Sequence, residues 1–288
     1  VTDTTASTSA VSQSRLALTL AYDGTAFEGW QTQTSGGAVQ DTLERALSQM
    51  ADESISTICA GRTDAGVHAL GQVVHFDTAA IRPLQAWVRG VNALLPSSVA
   101  VQDARVVRSD FHARFSAIRR QYRYLLHVSP VRHPLLAQRV GWSFRELDVA
   151  RMQQAAQCLI GEHDFSAFRS AQCQASSPVR RLERIAFRRD GPLISLDFVG
   201  NAFLHHMIRN LVGMLVMIGD GRKPAQWAGE LLSGRDRRAA PATFCAQGLY
   251  LVGAEYPDHY GLPPISGSPL DWLCAPRPAL SPTSDLSF

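Results

Sequence analysis

Lysine is almost missing from this chain: Lys223 is the only one among 28 basic residues, so nearly every cation is an arginine. The planar guanidinium suits bidentate phosphate contacts better than an ammonium does. No apolar run approaches the roughly 20 residues that a membrane helix needs, and the opening VTDTTASTSAVSQS lacks the apolar segment of a signal peptide. The expectation is a cytoplasmic protein without membrane contact. Paired cysteines are lacking too: Cys59, Cys158, Cys173, Cys245 and Cys274 are odd in number, widely spaced and without a CxxC pair. That pattern argues against a zinc or redox centre and predicts reduced thiols. The net charge of +3 is small, but the cations cluster at Arg114, Arg119, Arg120 and Arg123, and again at Arg180, Arg181, Arg184, Arg188 and Arg189. Local basic patches therefore matter more than the total.

Residues 1–14 are rich in Ser and Thr and poor in large apolar groups, which predicts a flexible tail. From Arg15, Leu16, Leu18, Leu20 and Tyr22 alternate with a period of two, the signature of a half-buried strand. Val39 to Met50 carries apolar residues at helical spacing. Short β-type runs follow at Ile55 to Cys59 and Gln72 to Asp77. A helix with Pro83 near its first turn then places Trp87, Val91 and Leu94 on one face, and Val99 to Val107 closes the unit as a strand. The order βαββαβ is that of a ferredoxin-like sandwich, with helices on one sheet face and the other free to bind. The second half repeats the outline. Strands are expected at Arg120 to Val128, Val179 to Arg188, Leu193 to Val199 and Leu249 to Tyr256, with helices at Leu147 to Leu159, His205 to Ile218 and Pro224 to Leu232. The predicted class is α+β: two ferredoxin-like, RRM-like halves, 15–110 and 111–260, whose antiparallel sheets join around a basic cleft. A Pro- and Ser-rich flexible extension is expected at 261–288.

The connection AGRTDAGVHA, residues 60–69, packs a carboxylate, a cation and two glycines between two strands. Arg62, two residues from Asp64, favours an ionised carboxylate that could serve as nucleophile or base; a turn with a solvated salt bridge is the plain alternative. His68, His75, His205 and His206 offer imidazoles to a metal. No HExxH or Cys/His pairing supports one, and adjacent histidines on a helix diverge by about 100°. They are expected to be hydrogen-bonding structural residues.

Across roughly Arg15 to Tyr260 the chain closely resembles the bacterial tRNA pseudouridine synthase A family. The segments that carry the resemblance are AYDGTAFEGWQ, VQDTLERAL, CAGRTDAGVHALGQVVHFD, VNALLP, DFHARFSAIRRQYRY, AAQCLIGEHDFSAFR, NAFLHHMIRNLVG and GLYLV, in this order. The resemblance implies an isomerase that detaches uracil from ribose at positions 38 to 40 of the tRNA anticodon stem-loop and rejoins it through carbon 5. It implies Asp64 as the catalytic nucleophile or base and Arg209 as its partner. Arg62 would be a wedge for the extruded nucleotide, Tyr122 the ring packed on the flipped base, and Leu204 an apolar support for the uracil. The family's tRNA contacts align with Arg82, with Phe111, His112, Ala113, Arg114 and Phe115, with Arg119, Arg120 and Arg123, and with Gln172, Cys173, Gln174, Ala175 and Ser176. Ser176 stands where some relatives carry a basic residue. No metal or organic cofactor is implied, and the implied assembly is a homodimer spanned by tRNA.

Overall fold

The computed structural model describes residues 13–265, so the expected tail and extension lie outside the described residues, apart from 13–14 and 261–265. The described chain forms ten strands and five α-helices. It sorts into two compact units: unit one ends at Arg119 and takes back Gly253–Ile265, and unit two is Arg120–Val252.

Unit one is built on β1 (Ser14–Tyr22), flanked by antiparallel partners β4 (Val99–Val107) and β3 (His68–Thr78). The two-residue β2 (Ile58–Cys59) pairs with β3. The Ile55 to Cys59 run is mostly unpaired because Glu44 captures the Thr57 amide and hydroxyl at 2.6 and 2.9 Å. Leu16 and Leu18 share a sheet face with Phe76 and Val74, and Phe76 meets Trp87 of α2 (Leu84–Leu94) at 5.4 Å. Leu43 and Leu47 of α1 (Val39–Ala51) are fully buried. Leu94, expected on the buried face of α2, is 40% exposed.

The opposite face of this sheet is not open. Ala17, Val73 and Val107 form one buried cluster with Phe111, Ala113, Ala254 and Tyr256. Two distant segments thus cover the face that was expected to be free to bind. Arg15 ties the first of them down, donating to the Ser109 and Phe111 carbonyls at 2.7 and 2.8 Å.

His75 is buried on this second face, where the Ala113 amide donates to its Nδ1 at 3.1 Å and Phe111 packs edge-on at 5.8 Å. Burial, with Arg15 and His112 adding like charge, pulls its pKa down to about 4. An unfolded chain takes up that proton near pH 6.5, so the unfolded state binds more protons between the two values. Stability is full above about pH 6.5 and falls as pH drops towards about 4. Asp77, held below the carboxylate range by Arg15, adds a loss in the same direction at lower pH. Thermal midpoints should therefore fall across that window, and a His75→Gln variant should show a shallower fall.

Unit two runs β5 (Arg119–Val128), β9 (Leu193–Gly200), β8 (Val179–Asp190) and β7 (Gly161–Asp164) in antiparallel order. The short β6 (Gly141–Ser143) pairs parallel to β5. Strand β10 (Leu249–Glu255) leads the chain out of unit two. Tyr124, Leu126, Leu196 and Phe198 are buried on the face that packs against α3 (Val149–Gln157) and its neighbours α4 (Met207–Gly219) and α5 (Trp227–Gly234). α4 is apolar around nearly its whole circumference, as a helix buried on all sides must be. Asn210 is its one fully buried polar side chain. It donates to the Phe168 carbonyl at 2.7 Å and accepts from the Thr243 hydroxyl at 2.8 Å.

Candidate active site

Asp64 lies on a loop that unit one fixes through its backbone. The Trp30 amide donates to the Thr63 carbonyl at 3.0 Å, and the Gln72 side-chain amide donates to the Gly61 carbonyl at 2.6 Å. The hydroxyls of Tyr22 and Thr63 are 2.8 Å apart and buried. Asp64 then opens a tight turn: the Val67 amide donates to the Asp64 carbonyl at 3.1 Å, and Gly66 supplies a φ of 76°. Gly29, at φ 98°, lies so close that a Cβ there would be 2.9 Å from the Thr63 carbonyl. The main chain of residues 61–67 is therefore rigid, while Arg62 is exposed and Asp64 half-buried. Cys59, just upstream, is no competing nucleophile, because burial pushes its thiol up to about 12 despite Arg62 and Arg114 nearby.

This polar scaffold predicts a measurable loss. Tyr22→Phe strands the buried Thr63 hydroxyl and should cost about 1 to 3 kcal/mol. Thermal unfolding reads the cost, and turnover should fall with it because the loop is loosened.

Unit two carries the other residues singled out in the sequence. Tyr122 on β5 is 7% exposed and packs edge-to-face on Phe203 at 5.2 Å. Leu204 is buried beside it in sequence. Tyr124, two residues on, is spent on structure: its hydroxyl donates to the Cys245 carbonyl at 2.9 Å. Arg209 is half-buried in the first turn of α4, and its Nε donates to the Phe244 carbonyl at 2.9 Å. A cation there adds to the positive end of the helix dipole, against the usual preference. The result is a strongly electropositive point suited to a carboxylate or a phosphate.

His205 and His206 precede α4 rather than lie within it. His206 is the N-cap, with left-handed φ of 63°, and the two imidazoles are only 4.0 Å apart. The divergence expected from helical spacing is thus corrected by a backbone kink. Phe203, the partner of Tyr122, had been given no role in the sequence. Its place directly before Leu204 in FLHHMIRN was the available signal.

Two segments matching a family model carry Arg62, Asp64, Phe203, Leu204, His205, His206 and Arg209, while Tyr122 and Tyr124 fall between them. The model, described as tRNA pseudouridine synthase, matches residues 19–116 and 155–257. The chain belongs to the tRNA pseudouridine synthase family. It is 55% identical over 258 residues to tRNA pseudouridine synthase A of Burkholderia thailandensis, covering 90% of this chain and 96% of that one. The Neisseria meningitidis serogroup C enzyme of the same name is 56% identical over 86% of this chain and 94% of its own. That of Pseudomonas aeruginosa is 53% identical over 90% and 91%. By reaction class, tRNA pseudouridine synthases are isomerases.

Within this synthase, the arginines and loops expected to meet tRNA differ widely in availability. Phe111 and Ala113 are fully buried, so their side chains pack in unit one and hold the segment in place. Its exposed part is Arg114 and Phe115. The His112 ring stacks on Phe115 at 4.3 Å, and Arg114 lies over the same ring at 5.4 Å. Arg82 is exposed. Arg123 is committed to Asp197 at 2.8 Å, with both side chains largely buried, and Arg120 is buried with a bond to the Asn201 carbonyl at 2.7 Å. Arg119 pairs with Glu255 at 3.3 Å. Arg120 and Arg123 are thus engaged within the fold, whereas Arg119 keeps 41% of its side chain exposed.

In the loop 172–176, Gln172, Gln174 and Ser176 are exposed, whereas Cys173 and Ala175 are half-buried. Arg169 secures the loop by donating to the carbonyls of Cys173 and Ala175 at 2.6 and 2.8 Å. Burial alone would raise the Cys173 thiol, but the Ala175 and His205 amides and Arg169 outweigh it and lower its pKa. The loop is therefore electropositive without a basic residue at Ser176. Among the described residues, no helix is long and apolar enough to cross a membrane.

Proposed function

We propose that this synthase converts uridine to pseudouridine at positions 38, 39 and 40 of the tRNA anticodon stem-loop, with Asp64 as the catalytic carboxylate. The observation that carries this reading is the backbone-locked turn that presents a half-buried Asp64 in a chain of this family. In the reaction the C1′–N1 bond breaks, the uracil turns, and a C5–C1′ bond forms. The hydrogen on C5 leaves as a proton, N1 gains one, and no redox partner is needed. Asp64 acts either by attacking C1′ or by removing the 2′ proton. The target base is stacked within a stem, so the nucleotide must first be extruded, at a cost of a few kcal/mol.

Arg62 fills the vacated stack, Tyr122 packs against the flipped base, and Leu204 supports the uracil ring. Arg209 is the cation that keeps the catalytic carboxylate ionised. Arg82, Arg114, Phe115 and the exposed residues of 172–176 bind the anticodon arm through backbone and shape. The working form is a cytoplasmic homodimer, and a solution mass showing only monomer in the presence of tRNA would contradict that. The reading is tested by release of tritium from C5-labelled uridine in tRNA transcripts. Release is expected when a uridine stands at 38, 39 or 40, and release from a transcript with none there would overturn the assignment.

A further inference from the structure

The second arginine cluster, on β8, has no part in the site described above. Residues paired across the unit-two sheet share a face. Tyr122 pairs with Phe198 and Phe198 with Ile185, so these three stand on one side. Arg184 pairs with Val199 and Arg188 with Ser195, one residue out of step, so both stand on the other side. An irregularity between Leu182 and Arg184 brings Arg181 onto that same side. Tyr122 and these arginines therefore point away from each other, with the sheet between them.

Arg181, Arg184 and Arg188 are exposed. Within the described residues, neither Arg184 nor Arg188 has a hydrogen-bond or ion-pair partner. Glu183 and Asp190 lie on the same strand, but neither is ion-paired with Arg184 or Arg188 within the described residues. Asp197, on the same face, is already paired with Arg123, and Glu162 stands opposite Arg181. Arg184 and Arg188 lie four residues apart on one strand, about 13 Å, a span that meets more than one phosphate of a nucleic-acid backbone. A row of like charges repels a second copy of itself and complements a polyanion.

We propose that Arg184 and Arg188 form a second RNA-backbone contact, one that binds tRNA outside the anticodon stem-loop. The inference rests on the proposed tRNA substrate and on Tyr122 facing the target base. A ligand seated at Tyr122 can reach the far side of the sheet only through a part remote from that base. The contact is with phosphates, so it adds affinity and salt dependence without reading sequence.

The test compares wild type, Arg184→Glu/Arg188→Glu and Arg184→Gln/Arg188→Gln, binding full-length tRNA and an isolated anticodon stem-loop over a range of salt. Both arginines are exposed, so thermal midpoints should match wild type. Both variants should bind full-length tRNA more weakly, the charge reversal by about tenfold or more, and the slope of log affinity against log salt should drop by about 2. Stem-loop binding and turnover on the stem-loop should be unchanged. Equal binding of full-length tRNA by wild type and both variants would overturn the proposal, as would an equal loss on the stem-loop. Tritium release by wild type on the stem-loop, run alongside, separates failure of this contact from failure of the proposed function.

Discussion

Asp64→Asn will abolish catalysis while leaving the protein folded and able to bind tRNA. The substitution keeps size and hydrogen-bonding capacity but removes the charge, so it neither attacks C1′ nor takes a proton. The substitution also leaves the main-chain bonds of the loop in place. The bonds that fix it are made by the main chain of Gly61, Thr63 and Asp64 and by the Thr63 hydroxyl. Loss of a general base costs about 10² to 10⁴ in rate, and loss of a nucleophile takes the reaction to background. Tritium release measured with enzyme in excess separates these magnitudes, and tRNA binding should stay within about threefold of wild type. Retained turnover would remove Asp64 from the centre of the mechanism.

Gly24→Ala should produce the largest loss of both stability and rate among substitutions that leave every catalytic group in place. A Cβ on Gly24 would lie 2.0 Å from the Val67 carbonyl oxygen and 2.6 Å from its carbon. These are backbone atoms at the end of the Asp64 turn, so no side-chain rotation can relieve the clash. Strain of this kind costs about 3 kcal/mol or more, on the order of 10 °C in thermal midpoint for a chain of this size. A shift of about 1 Å in the turn would also misplace Asp64 and cost about 10² in rate. The single-turnover rate and the thermal midpoint should fall together. A variant that melts like wild type and keeps its rate would show that the turn is not fixed by this contact.

Much of the architecture was legible because it is periodic. β1 and β4 alternate, and α1 and α4 carry apolar residues at helical spacing, so burial imprints their pattern directly. The three-residue β6 and four-residue β7 are too short to show a period, and pairing rather than sequence makes them strands. Coverage of the second face of unit one was hidden for another reason. Ala17 and Val73 are covered by Phe111 and Tyr256, which are far away in sequence.

The candidate site divides along the same line. Asp64, Arg62, Tyr122 and Arg209 stand out as chemistry-bearing residues in motifs. The residues that fix the Asp64 turn, Tyr22, Thr63 and Gln72, look like ordinary strand and loop polar groups until their partners are known. Arginine clustering overstated the free charge near β5, because the bond between Arg123 and Asp197 spans 74 residues of sequence. It understated β8, where Arg189 pairs with Glu146 but Arg184 and Arg188 have no carboxylate partner among the described residues.

The most direct test of the central claim is to map pseudouridine in tRNA from cells that lack this protein and then regain it as wild type or as Asp64→Asn. The account predicts that modification at positions 38, 39 and 40 disappears on loss, returns with wild type, and does not return with the variant. Modification restored by Asp64→Asn, or restored by wild type only at other positions, would contradict it.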